Sequence, residues 1–429
     1  MKEARLERVD TIVVGGGQAG IATSEHLRAH GIEHVVLERG RVAERWRSGR
    51  WDSLVANGPA WHDRFPGRTF DGDPHAFVPK EAVADYFAAY ADGIDAPVRT
   101  GVEVTRAVPL EARSGYRLET TAGPLEAHSL VVATGPFQTP AIPPLVPEDA
   151  GISQIHSAAY RRPDALPDGG VVVVGSGSSG AQIAAELLGA GRDVYLCIGP
   201  HQRPPRRYRG LDNVWWLGVL GHWNADTPGP GTEHVTIAVS GAGGGRTVDF
   251  RRLAGQGMVL LGSAAGWEDG MLRIAPDLAD NLAAGDASLV ALLDEADAYA
   301  ERHGLDLPED AEARRVLPDP SCVAEPILSL DLAAAGVGTI IWATGYAPDY
   351  DWLHAGRFDH RGRPVHQRGV GAEAGLYFVG LPWQSRRGSS FIWGVWHDAK
   401  FVADQIAIER GYRDHLEAAS RHAGAPEEA

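Results

Sequence analysis

The stretch from Thr11 to Gly31 constrains this chain more than any other. A short apolar strand, Thr11 to Val14, runs into the turn Gly15-Gly16-Gly17-Gln18-Ala19-Gly20, and a helical run continues to Gly31. In a dinucleotide grip the first glycine permits a tight turn, the second lets backbone approach a pyrophosphate, and the third lets the helix pack closely on its strand. Gly15, Gly17 and Gly20 hold those places, and Gln18 and Ala19 open the helix whose N-terminus would face the phosphates. The next strand, Val35 to Leu37, delivers Glu38 at its end, where a carboxylate can accept hydrogen bonds from ribose hydroxyls. Strand, turn, helix, strand and acid in register form a much stronger signal than an isolated GxGxxG.

The same pattern occurs a second time. Val171 to Val174 is a continuous apolar strand, and Gly175-Ser176-Gly177-Ser178-Ser179-Gly180 repeats the fingerprint. Ile183, Ala184, Leu187 and Leu188 then give the following helix a buried face. Two such units predict two dinucleotides. The second unit differs at its ribose end: the strand Val194 to Ile198 closes without a carboxylate, and His201, Arg203, Arg206 and Arg207 follow. A 2′-phosphate would be repelled by an acid and held by arginine, so this unit favours NADPH over NADH.

Between the two units, Arg39 to Asp52 is polar and broken by glycine, and it reads as a loop passing over the cofactor with Trp46 in it. Asn57 precedes Gly58-Pro59, which is a turn signal. Pro79 to Ala91 has helical periodicity, while Val98 to Val108 and Tyr116 to Leu125 alternate as an antiparallel excursion containing Val104. Leu130 to Val132 is a buried strand ending in Ala133-Thr134-Gly135, small residues that let a strand end approach a ligand or another backbone closely. An Ala-Thr-Gly ending recurs at Ala343-Thr344-Gly345, after the strand Val337 to Trp342. Ala287 to His303 and His397 to Ile408 read as helices, and 423–429 as a disordered end.

At 429 residues the chain has room for two or three domains. The formal charge of -16 opposes attraction to nucleic acid or anionic membrane and leaves a small molecule as the expected partner. Two cysteines, Cys197 and Cys322, make neither a disulfide framework nor a CxxC pair. The charged opening residues do not resemble a signal peptide, and no run reaches the roughly 18 apolar residues of a membrane span. Cytoplasm is the expected compartment. His354, His360 and His366 stand in a polar stretch without carboxylate support, so no metal is expected.

Two grips joined by Ala-Thr-Gly endings resemble the two-dinucleotide-binding-domain flavoproteins, and among them the single-component (class B) flavin-dependent monooxygenases of the flavin-containing type. The likeness covers nearly the whole chain. It implies an α/β fold of two Rossmann-like domains, the NADPH domain inserted into the FAD domain: 1–165 and 331–429 for FAD, 166–330 for NADPH. FAD would then occupy the first grip, contacted by Glu38, Arg39, Trp46, Val104, Thr134 and Gly135. NADPH would occupy Gly175 to Gly180 with Arg203, Arg206 and Arg207.

The segment between the grips follows the family's FxGxxxHxxx pattern in part. His156, Tyr160 and Arg161 match, whereas Ala150 and Ile152 replace the phenylalanine and the glycine. Glu44-Arg45 stands where relatives often carry Gly-Gly before the loop tryptophan. Asn57 matches an asparagine that faces the flavin in many relatives and is assigned the catalytic donor. His397 would open a helix aimed at the flavin pyrimidine. The implied reaction consumes NADPH and O₂, passes through a C4a-(hydro)peroxyflavin and oxygenates a small molecule, at nitrogen or sulfur in the first instance. Baeyer-Villiger insertion, oxidative decarboxylation and simple NAD(P)H reduction are the alternatives. A homodimer is compatible with this reading.

Overall fold

The computed structural model describes residues 6–111, 114–226 and 236–423. The closing residues 424–429, expected to be disordered, lie outside them. Two parallel sheets organise the chain. In the first, strands Leu376–Phe378, Leu125–Val132, Glu7–Val14, His34–Glu38 and Val98–Thr100 lie side by side in that order, all parallel. The hairpin Val104–Pro109 and Tyr116–Thr120 joins antiparallel through Leu125–Val132, as the alternating pattern predicts. The second sheet runs Val259–Leu261, Val194–Cys197, Gly170–Val174, Val337–Trp342, Ser153–His156, again all parallel.

The two sheets are built alike. In each, the glycine turn follows the middle strand, and the neighbour on one side is the strand that ends in Ala-Thr-Gly. The Ala133 N–H donates to the Val14 carbonyl at 2.9 Å, and the Ala343 N–H to the Val174 carbonyl at 2.8 Å. The two Ala-Thr-Gly endings are therefore one structural position used twice. Each unit also borrows its outermost parallel strand from across the chain: Ser153–His156 enters the second sheet before its own fingerprint, and Leu376–Phe378 returns to the first after the second is complete. This strand exchange corrects the expected boundaries. Pairing places Ser153–His156 and Val337–Trp342 in the second unit, so 165/166 and 330/331 each cut through it.

Helices cover the sheets as their apolar stripes require. Gln18–Ala29, Lys80–Gly93 and the C-terminal helix Ile392–Ala423 pack one face of the first sheet through Ile21, Leu27, Val83, Phe87, Val395 and Val402. The helix expected at Ala287 starts earlier, spanning Leu278–Arg302, because Leu278 and Leu282 extend its buried face into the second core. Trp216 is core, enclosed by Leu289 and Leu293 with its ring on edge to Trp215. No helix among the described residues is long and apolar enough to cross a membrane.

Close packing decides which glycines the fold demands. A Cβ on Gly20 would lie 1.8 Å from the Gly15 carbonyl oxygen, and one on Gly180 equally close to that of Gly175. A Cβ on Gly17 would meet nothing within 4 Å. Gly20→Ala is expected to destabilise the nucleotide-free protein by about 1–3 kcal/mol or more. Gly17→Ala should leave its denaturant midpoint unchanged while weakening nucleotide binding. Equal midpoints for the two variants would contradict this division.

Candidate functional site

The first grip opens onto a cavity of about 1060 Å³. Gly15, Gly17, Gln18, Ala19 and Glu38 line one part of it. Arg39, Trp46, Val104, Thr134 and Gly135 line the rest of the predicted set, while Gly20 sits behind the turn against Gly15. Both carboxylate oxygens of Glu38 are held by the loop: the Gly16 N–H donates to Oε2 and the Gly40 N–H to Oε1, each at 2.7 Å. This fixes the carboxylate at the strand end with acceptor capacity left for a ribose diol. The Gly16 position follows from this contact, since a Cβ there would lie 2.8 Å from the Glu38 Cβ.

The segment over the cavity is more ordered than a loop. Ala43 takes a left-handed φ of 58°, its N–H donates to the Gly16 carbonyl at 3.0 Å, and a short helix, Glu44–Ser48, follows. That turn points Trp46 into the cavity while its ring packs against both cores. Sequence reasoning missed Arg45, Arg50, Phe137 and Ser390, which also line the cavity. The Gln18 side-chain amide donates to the Ser390 carbonyl at 2.9 Å, tying the grip to the start of the C-terminal helix. That helix begins at Ile392, not near His397, because the Val395 N–H already closes a turn on the Phe391 carbonyl at 2.9 Å. His397 is consequently in the second turn and exposed, and the unpaired N-terminal amides belong to the turn before it.

The second grip repeats the backbone of the first with its own variations. Gly15 and Gly175 share a φ of 112°. Ile198 follows the strand where Glu38 follows the first, and the Ser176 hydroxyl donates to the Gly199 carbonyl at 3.3 Å. A short segment of the chain lies across the mouth of this grip. The Ser178 hydroxyl donates to the Ile237 carbonyl at 2.8 Å, and a Cβ on Gly177 would stand 3.4 Å from the Thr236 methyl carbon. Ser179 occupies the first helical turn beside Ser178.

The arginines following the second grip separate into two kinds. Arg203 is buried, with Nε donating to Asp286 at 2.7 Å and Asp249 at 3.7 Å from Nη1. Arg206 is buried too: it grips Asp212 with Nε and Nη2, donates from Nη1 to the Asn57 carbonyl at 2.6 Å and lies over the Phe77 ring. Both are committed to internal partners, so the expectation that they hold a 2′-phosphate meets side chains already neutralised. Arg207 is exposed, with Nη1 on the Gly245 carbonyl at 3.1 Å, and is the one of the three without an acidic partner among the described residues.

Asn57 lies beside the second unit and is not among the residues lining the cavity. The Gln182 amide nitrogen donates to both the Val239 carbonyl and Asn57 Oδ1, each at 2.8 Å. A backbone carbonyl only accepts, so it orients the glutamine, and the glutamine in turn orients the asparagine with Nδ2 free to donate. His156 is set in the same manner. Nδ1 accepts from the Ala158 N–H at 3.1 Å and Nε2 donates to the Gly345 carbonyl at 2.8 Å, which defines a neutral ring. Burial lowers its pKa, consistent with that state and with a packing role at the second Ala-Thr-Gly ending. Among the described residues no cluster of His, Cys, Asp and Glu is arranged to hold a metal ion.

Comparison with known proteins agrees with this architecture. Residues 12–209 match the family described as pyridine nucleotide-disulphide oxidoreductase. A CzcO-like uncharacterized oxidoreductase of Geobacillus kaustophilus is 32% identical over 93% of this chain and 98% of its own length. The indole-3-pyruvate monooxygenase YUCCA1 of Oryza sativa is 30% identical over 49% of this chain and 53% of its own. Among solved structures, a flavin-containing monooxygenase from Stenotrophomonas maltophilia superposes with a TM-score of 0.64 at 19% identity, covering 94% of this chain and 99% of that one. The paired grips and this fold are those of an oxidoreductase with two dinucleotide-binding domains. Within that class, the chain belongs to the CzcO-like oxidoreductases.

The internal role of Arg206 can be tested directly. Arg206→Met leaves Asp212, largely enclosed and still bonded to the Val214 N–H, without its cation, and we expect a loss of about 2–4 kcal/mol in denaturant unfolding. Unchanged stability with weakened NADP⁺ binding would return Arg206 to the phosphate.

Proposed function

We propose that this protein uses NADPH and O₂ to oxygenate a small molecule, with nitrogen or sulfur as the oxygenated atom. The observation carrying this reading is the asymmetry of the two grips. One presents a fixed carboxylate suited to an unphosphorylated ribose and opens on the large cavity. The other has Ile198 in place of the acid, with Arg207 exposed nearby. Flavin, when bound, accepts hydride from the nicotinamide and activates O₂. The chain's own residues bind, orient and shield. Glu38 holds the ribose, the amides opening the helix Gln18–Ala29 face the pyrophosphate, and Trp46 closes the cavity against water. Asn57 stands outside the cavity lining, held by Gln182 with Nδ2 free, and is the candidate N–H donor from the side of the second unit; preset donors stabilise developing negative charge without reorganisation.

The cysteines weigh against a dithiol reductase. Cys197 is buried, and burial pushes its thiol up to about 12, so it is not a thiolate near neutral pH. Cys322 is the other free cysteine and forms no pair with it. The relatedness to YUCCA1 supports oxygenation as the reaction type, and the small-molecule substrate follows from the same reading.

Incubating the flavin-loaded protein with NADPH, O₂ and panels of amines, thioethers and ketones tests the proposal. Product matching NADPH consumed supports it, and amine or thioether products fix the atom. Consumption matched only by hydrogen peroxide across all panels, or dependent on an added disulfide, refutes it. Asn57→Asp retains the bond from Gln182 but removes the donor, so product per NADPH should fall on the order of 10²-fold while peroxide rises.

A further inference from the structure

We propose that Arg45 and Arg50 form a binding site for a phosphate group of a bound nucleotide, where the two dinucleotide units meet. The proposal rests on the two-nucleotide reading above. Both side chains line the cavity. Arg45 donates from Nε to the Phe137 carbonyl at 3.0 Å and from Nη2 to the Gln138 carbonyl at 2.8 Å. Arg50 lies over the Phe137 ring at 4.4 Å, and its nearest polar partner is the Tyr346 hydroxyl at 3.5 Å. The Arg45 guanidinium also faces the Tyr346 ring, at 5.9 Å. Phe137 follows the first Ala-Thr-Gly ending and Tyr346 the second, so the two cations converge where both strand ends point.

No carboxylate answers them. Among the described residues, neither guanidinium has an acidic partner within ion-pair distance, although the chain carries a net charge of -16 and both side chains line one cavity. Five carboxylates line the same cavity, Glu38, Glu44, Glu103, Asp349 and Asp351, but none forms an ion pair with either guanidinium among the described residues, and His156, on the edge of the Tyr346 ring, is neutral by its hydrogen bonds. Burial pushes the Arg50 pKa down, with Tyr346 opposing and Arg45 adding to the shift. Carbonyls and a ring face orient a guanidinium without neutralising it, whereas a phosphate oxygen does both and suits the planar fork. Arg203 and Arg206 being spent internally, this pair supplies cationic contacts that those two do not.

Arg45→Met, Arg50→Met, the double variant and Arg50→Lys test the site. For each, we would measure the melting temperature of the nucleotide-free protein, the FAD dissociation constant by flavin fluorescence, and the NADP⁺ dissociation constant of the FAD-loaded protein by calorimetry at two salt concentrations. Each methionine variant should weaken one nucleotide about 10-fold, with a shallower salt dependence and a melting temperature of the nucleotide-free protein that is unchanged or raised. Arg50→Lys should recover part of the loss. Weakening confined to FAD identifies the flavin diphosphate as the occupant, and weakening confined to NADP⁺ identifies a phosphate of the pyridine nucleotide. Unchanged affinity for both in the double variant, or a lowered melting temperature without nucleotide, overturns the site. Product formation from NADPH, scored separately, tells failure of this site from failure of the oxygenase reading.

Discussion

Everything in this molecule depends on a backbone contact made twice: the carbonyl of a strand-ending alanine pressed against the first glycine of a phosphate turn. A Cβ on Gly15 would stand 2.5 Å from the Ala133 oxygen, and one on Gly175 2.6 Å from that of Ala343. The contact sets where the turn sits, the turn aims the helix, and the helix end and the neighbouring strand ends together form the floor of a nucleotide site. Ligands in open parallel sheets bind at the carboxyl ends of strands, and here two such ends are brought face to face by the exchange of outer strands. The site at their junction is therefore a product of topology as much as of any single residue.

The two halves use this common frame differently. In the first, the acid at the strand end is part of the loop's own hydrogen bonding, and the cavity beside it is spacious. In the second, serine replaces Gly16, Ile198 replaces the acid, and the segment around Ile237 lies over the helix start. Across the boundary, Gln182 and Arg206 reach from the second half to Asn57 on the first. The geometry of one half is thus set partly by side chains of the other.

Much of this was legible in the sequence, because fingerprints and apolar strands are local. Glycine spacing marked both turns, Glu38 was placed at the end of its strand, and the repeated Ala-Thr-Gly marked the strand beside each turn. What could not be read was pairing at long range. Nothing near Arg203 or Arg206 in the sequence announces Asp286 as a partner of the first or Asn57 of the second, and a run of arginines after a nucleotide unit looks available until those partners are seen. The start of the last helix was misplaced at His397 for a related reason: the residues before it, rich in glycine and tryptophan, have loop-like propensities that tertiary packing of Ile392 and Val395 overrides. Domain limits failed at the exchanged strands, since a strand carries no mark of the sheet it will join.

The contact between Gly16 and Glu38 makes coenzyme preference inseparable from loop architecture. The carboxylate that would discriminate between ribose forms is also the acceptor for two amides of its own turn, and it occupies the space any side chain at position 16 would need. Evolution could not move the first grip toward a phosphorylated ribose by changing the acid alone, because the turn would lose its anchor in the same step. In the second grip serine and isoleucine stand at the matching places, so the two halves differ at both positions together.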